Sequence, residues 1–195
     1  MLVQCLGELS RLEIREKRVI EYGAGTGIGG LSFLMSNDDS IVPSFVCFTD
    51  YDERALEVCK RNCELNNVRE SNYSIRALTW GRDETGCEFD IALATDVLYD
   101  VDLIEPLCVS VSKAIPLDGL FILSHIPRAC YNENNPPEAV ENLEQYIIDQ
   151  ASKFGMALDE IIRPPGQMDE SGLVDWGITK SSFCGGAILV FRRVR

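Results

Sequence analysis

Residues 18 to 27, Arg-Val-Ile-Glu-Tyr-Gly-Ala-Gly-Thr-Gly, run a short β-branched strand into an acid and then into three glycines at alternate positions. Few architectures accept that junction. Glycine lets the backbone turn tightly and approach a ligand closely, because no Cβ stands in the way. Ile28, Leu31, Phe33, Leu34 and Met35 make the following segment mostly apolar, so a helix is expected to start just after the turn. Strand, glycine turn and helix together form a nucleotide-type cofactor site. A dinucleotide fingerprint wants G-x-G-x-x-G/A, and the third position here is Ile28. The pattern present is instead E-x-G-x-G-x-G. The same glycines also fit an ordinary strand-to-helix turn; Glu21 in front and the motifs behind favour the cofactor site.

At 195 residues the chain is expected to be one domain, residues 1–195, with one substantial core. It is 46% hydrophobic, yet no apolar run has membrane-spanning length and the N-terminus lacks a basic region followed by an apolar core. A cytoplasmic protein, with the nucleus as a second compartment, is the expectation. Eight cysteines raise the question of disulfides or zinc. No C-x-x-C pair occurs, His125 is the single histidine, and the cysteines sit mostly in apolar stretches, so they read as reduced thiols with no metal site. Cys59 and Cys63 share a helix face, but two soft ligands without partners do not hold zinc. Acids outnumber bases 31 to 18, for a net charge of −13. A nucleic-acid binder needs a basic footprint to displace counterions from phosphates. The charge argues against nucleic acid and for a basic protein segment or a small cation.

Strands and helices alternate. Strands are expected near 18–22, 44–49, 73–78, 89–95, 119–124, 156–162 and 183–192, and helices near 26–36, 52–66, 101–115 and 136–154. Such alternation implies an open, mostly parallel, doubly wound α/β sheet of seven strands with helices on both faces. Sites in these sheets form at the carboxyl ends of the strands.

Several polar residues fall on that rim. The second strand ends in Thr49-Asp50-Tyr51-Asp52. A carboxylate there has two acceptor oxygens for the two hydroxyls of a ribose, while an acid in the same place can also cap the next helix. We read Asp50 as facing the ribose and Asp52 as the cap. Leu78-Thr79-Trp80-Gly81 closes the third strand, where Trp80 either packs on an adenine ring or belongs to the core. The fourth strand delivers Thr95-Asp96-Val97-Leu98-Tyr99-Asp100. Asp96 and Tyr99, three apart, can converge on one small polar group, or Asp96 can simply cap the next turn. The fifth strand ends in Ser124-His125-Ile126-Pro127-Arg128, and His125 is either a proton acceptor or, more commonly for a lone histidine, structural. Residues 163–182 form a long acidic loop, read equally as substrate recognition or an inert connection.

VIEYGAGTG, CFTDYDERALEVCKRN, LTWG and FDIALATDVLYD, in that order and spacing across about residues 18–130, resemble the methyltransferase-16 family. Its members are class I, seven-strand methyltransferases dependent on S-adenosyl-L-methionine (AdoMet), and many methylate lysine on one protein partner. The resemblance implies a Rossmann-like fold and AdoMet as cofactor. It puts Glu21, Gly23, Ala24, Gly25 and Gly27 around the methionine end, Asp50 with its neighbour Tyr51 at the ribose, Trp80 beside the adenine, and Thr95 lining the pocket. Asp96 and Tyr99 match its D-x-x-Y motif near the methyl group and the incoming lysine, and are the expected catalytic pair.

Two features depart from the family. Its members usually carry a tryptophan-proline segment ahead of the glycine motif, whereas only 17 residues precede Arg18 and none is Trp. Leu2, Leu6, Leu9 and Leu12 are expected to form the flanking helix, and the chain is expected to be a fragment or truncation. Position 22 is Tyr where an aliphatic residue is usual. The expected function is N-methylation of a protein lysine by a monomer acting on neither nucleic acid nor membrane. The alternatives are a small-molecule N-methyltransferase and a non-catalytic AdoMet-binding module. Asp96-Val97-Leu98-Tyr99 lacks the two prolines of the [DN]-P-P-[YFW] motif that nucleic-acid N-methyltransferases carry there.

Overall fold

The structure is a computed structural model that describes residues 2–85, 89–126, 135–163 and 186–195. Its strands are β1 (Arg18–Tyr22), β2 (Phe45–Asp50), β3 (Tyr73–Ala77), β4 (Ile91–Thr95), β5 (Leu120–His125), β6 (Met156–Ile162) and β7 (Ala187–Arg193). The helices are α1 (Ile28–Leu34), α2 (Glu53–Leu65), α3 (Ile104–Ala114), α4 (Pro137–Glu141) and α5 (Leu143–Lys153), and a 3-10 segment covers Leu2–Leu12. The strands form one sheet in the order β3-β2-β1-β4-β5-β7-β6. All pairings are parallel except those of β7, which runs antiparallel to both β5 and β6. This is the doubly wound, mostly parallel seven-stranded sheet that the alternation implied, with the Rossmann-like form that the resemblance implied.

Side chains alternate across each strand, and the core divides accordingly. Ile20, Tyr22, Ala92, Ala94, Phe121, Leu123 and Phe191 point to one face, where they pack with α3 and α5. Val19, Val46, Phe48, Ile91, Leu93, Ile122 and Val190 point to the other, against Leu31 and Phe33 of α1 and Cys59 and Cys63 of α2. Leu2 and Leu9 are buried in that second layer, so the N-terminal leucines do form a flanking helical segment. The alternation puts Glu21 on the face of Val19 and Thr95 on the face of Leu93. Both therefore lie beneath α1.

Some boundaries move. The segment expected as one helix over 136–154 is two, because Asn142 takes an extended conformation and its side chain accepts from the Gln145 N–H to cap α5. The helix expected over 101–115 opens with a 3-10 turn, Val101–Leu103, capped by Asp100. The strand expected at 89–95 begins at Ile91, since the Phe89 and Asp90 N–H groups donate to the Ala114 and Arg18 carbonyls. The helix expected from 26 starts at Ile28, with Gly27 as its left-handed N-cap. Cys59, Cys63 and Cys108 are free, buried thiols, as expected, and Cys47 is buried with them. The loop expected at 163–182 lies, after Arg163, outside the described residues, as do Arg128, Cys87, Cys130 and Cys184. Among the described residues no helix is long and apolar enough to cross a membrane, and no cluster of three or more metal-ligating side chains occurs.

Candidate active site

β1 lies between β2 and β4, so the chain leaves β1 where the strand order reverses. A crevice opens at such a point, outside the carboxyl ends of the strands. The glycine loop occupies it. Gly23, Gly25 and Gly27 have φ of +64°, +53° and +82°, a region that L side chains rarely adopt. A Cβ on Gly25 would meet nothing within 4 Å, so the loop presents bare backbone to open space there. At Gly23 a Cβ would come within 2.8 Å of Val97 and 3.1 Å of the Trp80 ring. Val97, of the fourth rim segment, and Trp80, of the third, therefore brace the loop from below.

Asp50 ends β2 beside this loop and is 8% exposed. One carboxylate oxygen accepts from the Gly25 N–H at 2.9 Å and the other from the Asp52 N–H at 3.0 Å. Asp52 accepts from the Arg54 N–H at 2.9 Å and caps α2. Asp52 is thus the expected cap, and Asp50 faces the loop. Ala24 is tied to the rim by its N–H, which donates to the Thr49 carbonyl at 2.8 Å. Tyr51 projects outward and is 80% exposed, so its ring is free of the core. Trp80 is half-buried, packing on the core while its ring reaches the loop.

Glu21 is 1% exposed. Its carboxyl lies under the first turn of α1, where one oxygen accepts from the Gly30 N–H at 2.9 Å. Burial, with Asp50 as a nearby like charge, pushes its pKa up to about 8 despite that hydrogen bond. The Thr95 hydroxyl is buried beside it without a hydrogen-bond partner among the described residues. A Cβ on Gly29 would fall 2.2 Å from the Glu21 carboxyl and 2.7 Å from the Thr95 hydroxyl. Gly29 and Gly30 are therefore part of this site, though the sequence reading stopped at Gly27. The signal was present: two glycines in the first turn of a helix each cost about 1 kcal/mol relative to alanine, and close approach is the usual reason to keep them.

Asp96 has φ of +55°, uncommon for a residue other than glycine, and its N–H donates to the Ser124 carbonyl at 2.8 Å. The next turn is capped by Asp100, so Asp96 is not its cap. Tyr99, three residues on, is 55% exposed at the same rim. His125 is 3% exposed at the end of β5, a placement that favours its structural reading. Tyr22 is fully buried on the face opposite Glu21, with its hydroxyl donating to the Ser110 carbonyl at 3.1 Å, so the departure from an aliphatic residue is absorbed by the core.

These residues suit AdoMet. Open backbone at Gly25, an acid beside it, a half-buried aromatic under the loop and an unpartnered buried hydroxyl are the features such a ligand needs. The comparisons agree on the class. The structure superposes on a putative S-adenosylmethionine-dependent methyltransferase of Listeria monocytogenes with TM-score 0.66 and 14% identity, covering 100% of this chain and 98% of that one. It superposes on a putative RNA methyltransferase of Pyrococcus horikoshii with TM-score 0.66 and 15% identity, covering 100% and 84%. Identities this low establish the fold, that of class I methyltransferases. In sequence the chain is 36% identical over 108 residues to the protein-lysine N-methyltransferase EFM3 of Saccharomyces cerevisiae, spanning 53% of this chain and 31% of the yeast protein. It is 29% identical over 141 residues to the electron transfer flavoprotein beta subunit lysine methyltransferase of Xenopus laevis, spanning 72% of this chain and 54% of that protein. The alignments thus reach about a third to a half of these relatives' lengths. The family described as lysine methyltransferase matches residues 1–137, well over half of the chain. The chain belongs to the lysine methyltransferase family.

Proposed function

We propose that this chain binds AdoMet over the Gly23–Gly27 loop and N-methylates a lysine side chain of a protein partner. The observation that carries the reading is the open backbone at Gly25, hydrogen-bonded to the Asp50 carboxylate at the switch point of the sheet. The names of the yeast and frog relatives support lysine as the acceptor. Asp50, flanked by Tyr51, takes the ribose hydroxyls, Trp80 lies along the adenine, and Glu21 with Gly23, Ala24, Gly25 and Gly27 surrounds the methionine end. Thr95 lines the pocket.

Bound AdoMet supplies an electrophilic methyl group on a sulfonium. The chain's own residues must then deliver an amine with a free lone pair. A lysine near pKa 10.4 is mostly protonated at neutral pH, and removing the proton costs roughly 4 kcal/mol. Desolvation at the rim offsets part of this, because burial disfavours the ammonium. Tyr99 orients the amine through its hydroxyl. Asp96 draws in and orients the ammonium, since a carboxylate stabilises that charged form rather than acting as a strong base. The work of the protein is alignment of donor and acceptor. The net charge of −13 supports a basic protein segment as partner and disfavours nucleic acid. In this reading residues 1–195 work as one domain and as a monomer, in the cytoplasm or nucleus and away from membranes.

Methyl-labelled AdoMet incubated with the protein and a cell lysate tests the reading. A labelled protein band that yields methyl-lysine on hydrolysis is the expected result. Label confined to small molecules would replace the acceptor with a free amine, and binding without transfer would leave a binding module. Tyr99→Phe should lower kcat by roughly tenfold to a hundredfold, about 1.4–2.7 kcal/mol, with AdoMet affinity little changed.

A further inference from the structure

Two side chains hydrogen-bond into the glycine loop among the described residues. One is Asp50, at the Gly25 N–H. The other comes from α2: the Asn62 side-chain amide donates to the Thr26 carbonyl at 2.9 Å, across 36 residues of sequence. Since a carbonyl only accepts, the nitrogen of the Asn62 amide must face it. One helical turn earlier on the same face of α2, the Cys59 sulfur lies where a Cβ on Gly27 would be only 2.5 Å away. α2 therefore touches the loop at two successive residues, sterically at Gly27 and by a hydrogen bond at Thr26.

The loop needs such a hold. Its own bonds are short-range: the Gly27 N–H donates to the Ala24 carbonyl at 2.7 Å, and the Leu31 N–H to the Gly27 carbonyl at 3.0 Å. These close the turn without fixing where it sits over the sheet. From the β2 side, Thr49 and Asp50 fix Ala24 and Gly25. Asn62 fixes the other end of the turn, at the peptide just before the left-handed Gly27.

We infer that Asn62 is a positioning residue, whose side-chain amide holds the Thr26 carbonyl and so sets the glycine loop in the geometry that receives the cofactor. The inference rests on the AdoMet reading above and deepens it by one residue that touches no substrate atom. Asn62 is half-buried, and its backbone carbonyl, which accepts from Asn66, is unaffected by a change of side chain. Substitution there acts on the loop rather than on α2.

Hydrogen exchange on the ligand-free protein, paired with calorimetry, tests this. Asn62→Asp is isosteric, removes the donor and sets an oxygen against the Thr26 carbonyl. Exchange in the peptide covering Gly23–Gly29 should quicken by roughly tenfold, with β2 and α2 unchanged. AdoMet affinity should weaken by roughly tenfold while kcat at saturating AdoMet stays put. Asn62→Gln keeps a donor on a half-exposed face and should restore most of both. Unchanged loop exchange in Asn62→Asp overturns the inference. So does faster exchange spread through the sheet, or an equal loss in Asn62→Gln, since either makes the residue structural. If the unsubstituted chain fails to bind AdoMet while the loop exchange responds as described, the cofactor reading falls and the hold on the loop stands.

Discussion

The two ends of the sheet treat charge in opposite ways. At the amino ends of the parallel strands a depression of about 500 Å³ is lined by Arg11, Lys17, Asp90, Asp118 and Arg192, with Leu12 and Leu117 among the apolar residues. Its three bases are paired: Arg11 with Glu160, Lys17 with Asp90 at 3.9 Å and Arg192 with Asp159 at 2.7 Å. At the carboxyl ends, Glu21 and Asp50 are buried, and among the described residues their carboxylates accept only from backbone N–H groups and enter no ion pair. One end pairs its three bases within the chain. The other carries two buried acids with no ion-pair partner among the described residues.

Glu21 gives the largest test of this contrast. Its folded-state pKa, about 8, lies above the ordinary value of 4.5. The folded chain therefore binds the proton more tightly than the unfolded one. Its contribution is fully present below pH 4.5 and is lost as pH rises through 8, so stability should fall across that window, by on the order of 4 kcal/mol for Glu21 alone. Glu21→Gln has no proton to lose and should flatten the fall. Urea unfolding of both ligand-free proteins between pH 5 and 8 measures the difference. Equal slopes would mean that Glu21 is not held neutral by its burial. Saturating AdoMet should also flatten the slope of the unsubstituted protein, because a nearby cation restores the carboxylate.

Asp50 gives the next effect. Asp50→Ala removes a charge-assisted contact worth about 1.5–3 kcal/mol, so AdoMet affinity should fall roughly tenfold to a hundredfold. Asp90→Asn, at the opposite edge, removes a charge of the same kind and should leave affinity unchanged. Calorimetry on the two variants decides between a specific ribose acid and a general effect of lowering the negative charge. Equal losses would erase the distinction between the two ends.

Legibility followed the range of the interaction. β1 and β6 match their expected bounds because period-two patterning and flanking breakers are local. The two-layer core follows from the same alternation, and so does the placement of Glu21 and Thr95 under α1. The break at Asn142 was written as a cap followed three residues later by Gln145, but unbroken helix-forming residues on both sides outweighed it. The cap role of Asp52 was legible because a cap is a contact two residues long. Asn62 could not be found in this way. Its partner lies 36 residues back, and only the packing of α2 beside the loop brings them together. Gly29 and Gly30 fall between these cases, since their cost was visible and the acid they make room for was not.

The smallest expected effect lies at the amino end. Arg192 holds Asp159 through two nitrogens, at 2.7 and 3.2 Å, and donates to the Asp118 carbonyl at 3.3 Å. The geometry is good, but both side chains are more than 40% exposed. Water already solvates each charge there, so pairing them gains little, and fixing two long side chains costs entropy. A double-mutant cycle with Arg192→Ala and Asp159→Ala should return a coupling of about 0.2–1 kcal/mol, shrinking further in high salt. AdoMet affinity and methyl transfer should not change in any of the three variants. A coupling above about 2 kcal/mol would mean that this edge is drier and stiffer than its exposure indicates. A change in transfer rate would make the depression part of the working surface, and the two ends of the sheet could no longer be divided into one that pairs its bases within the chain and one that receives the ligand.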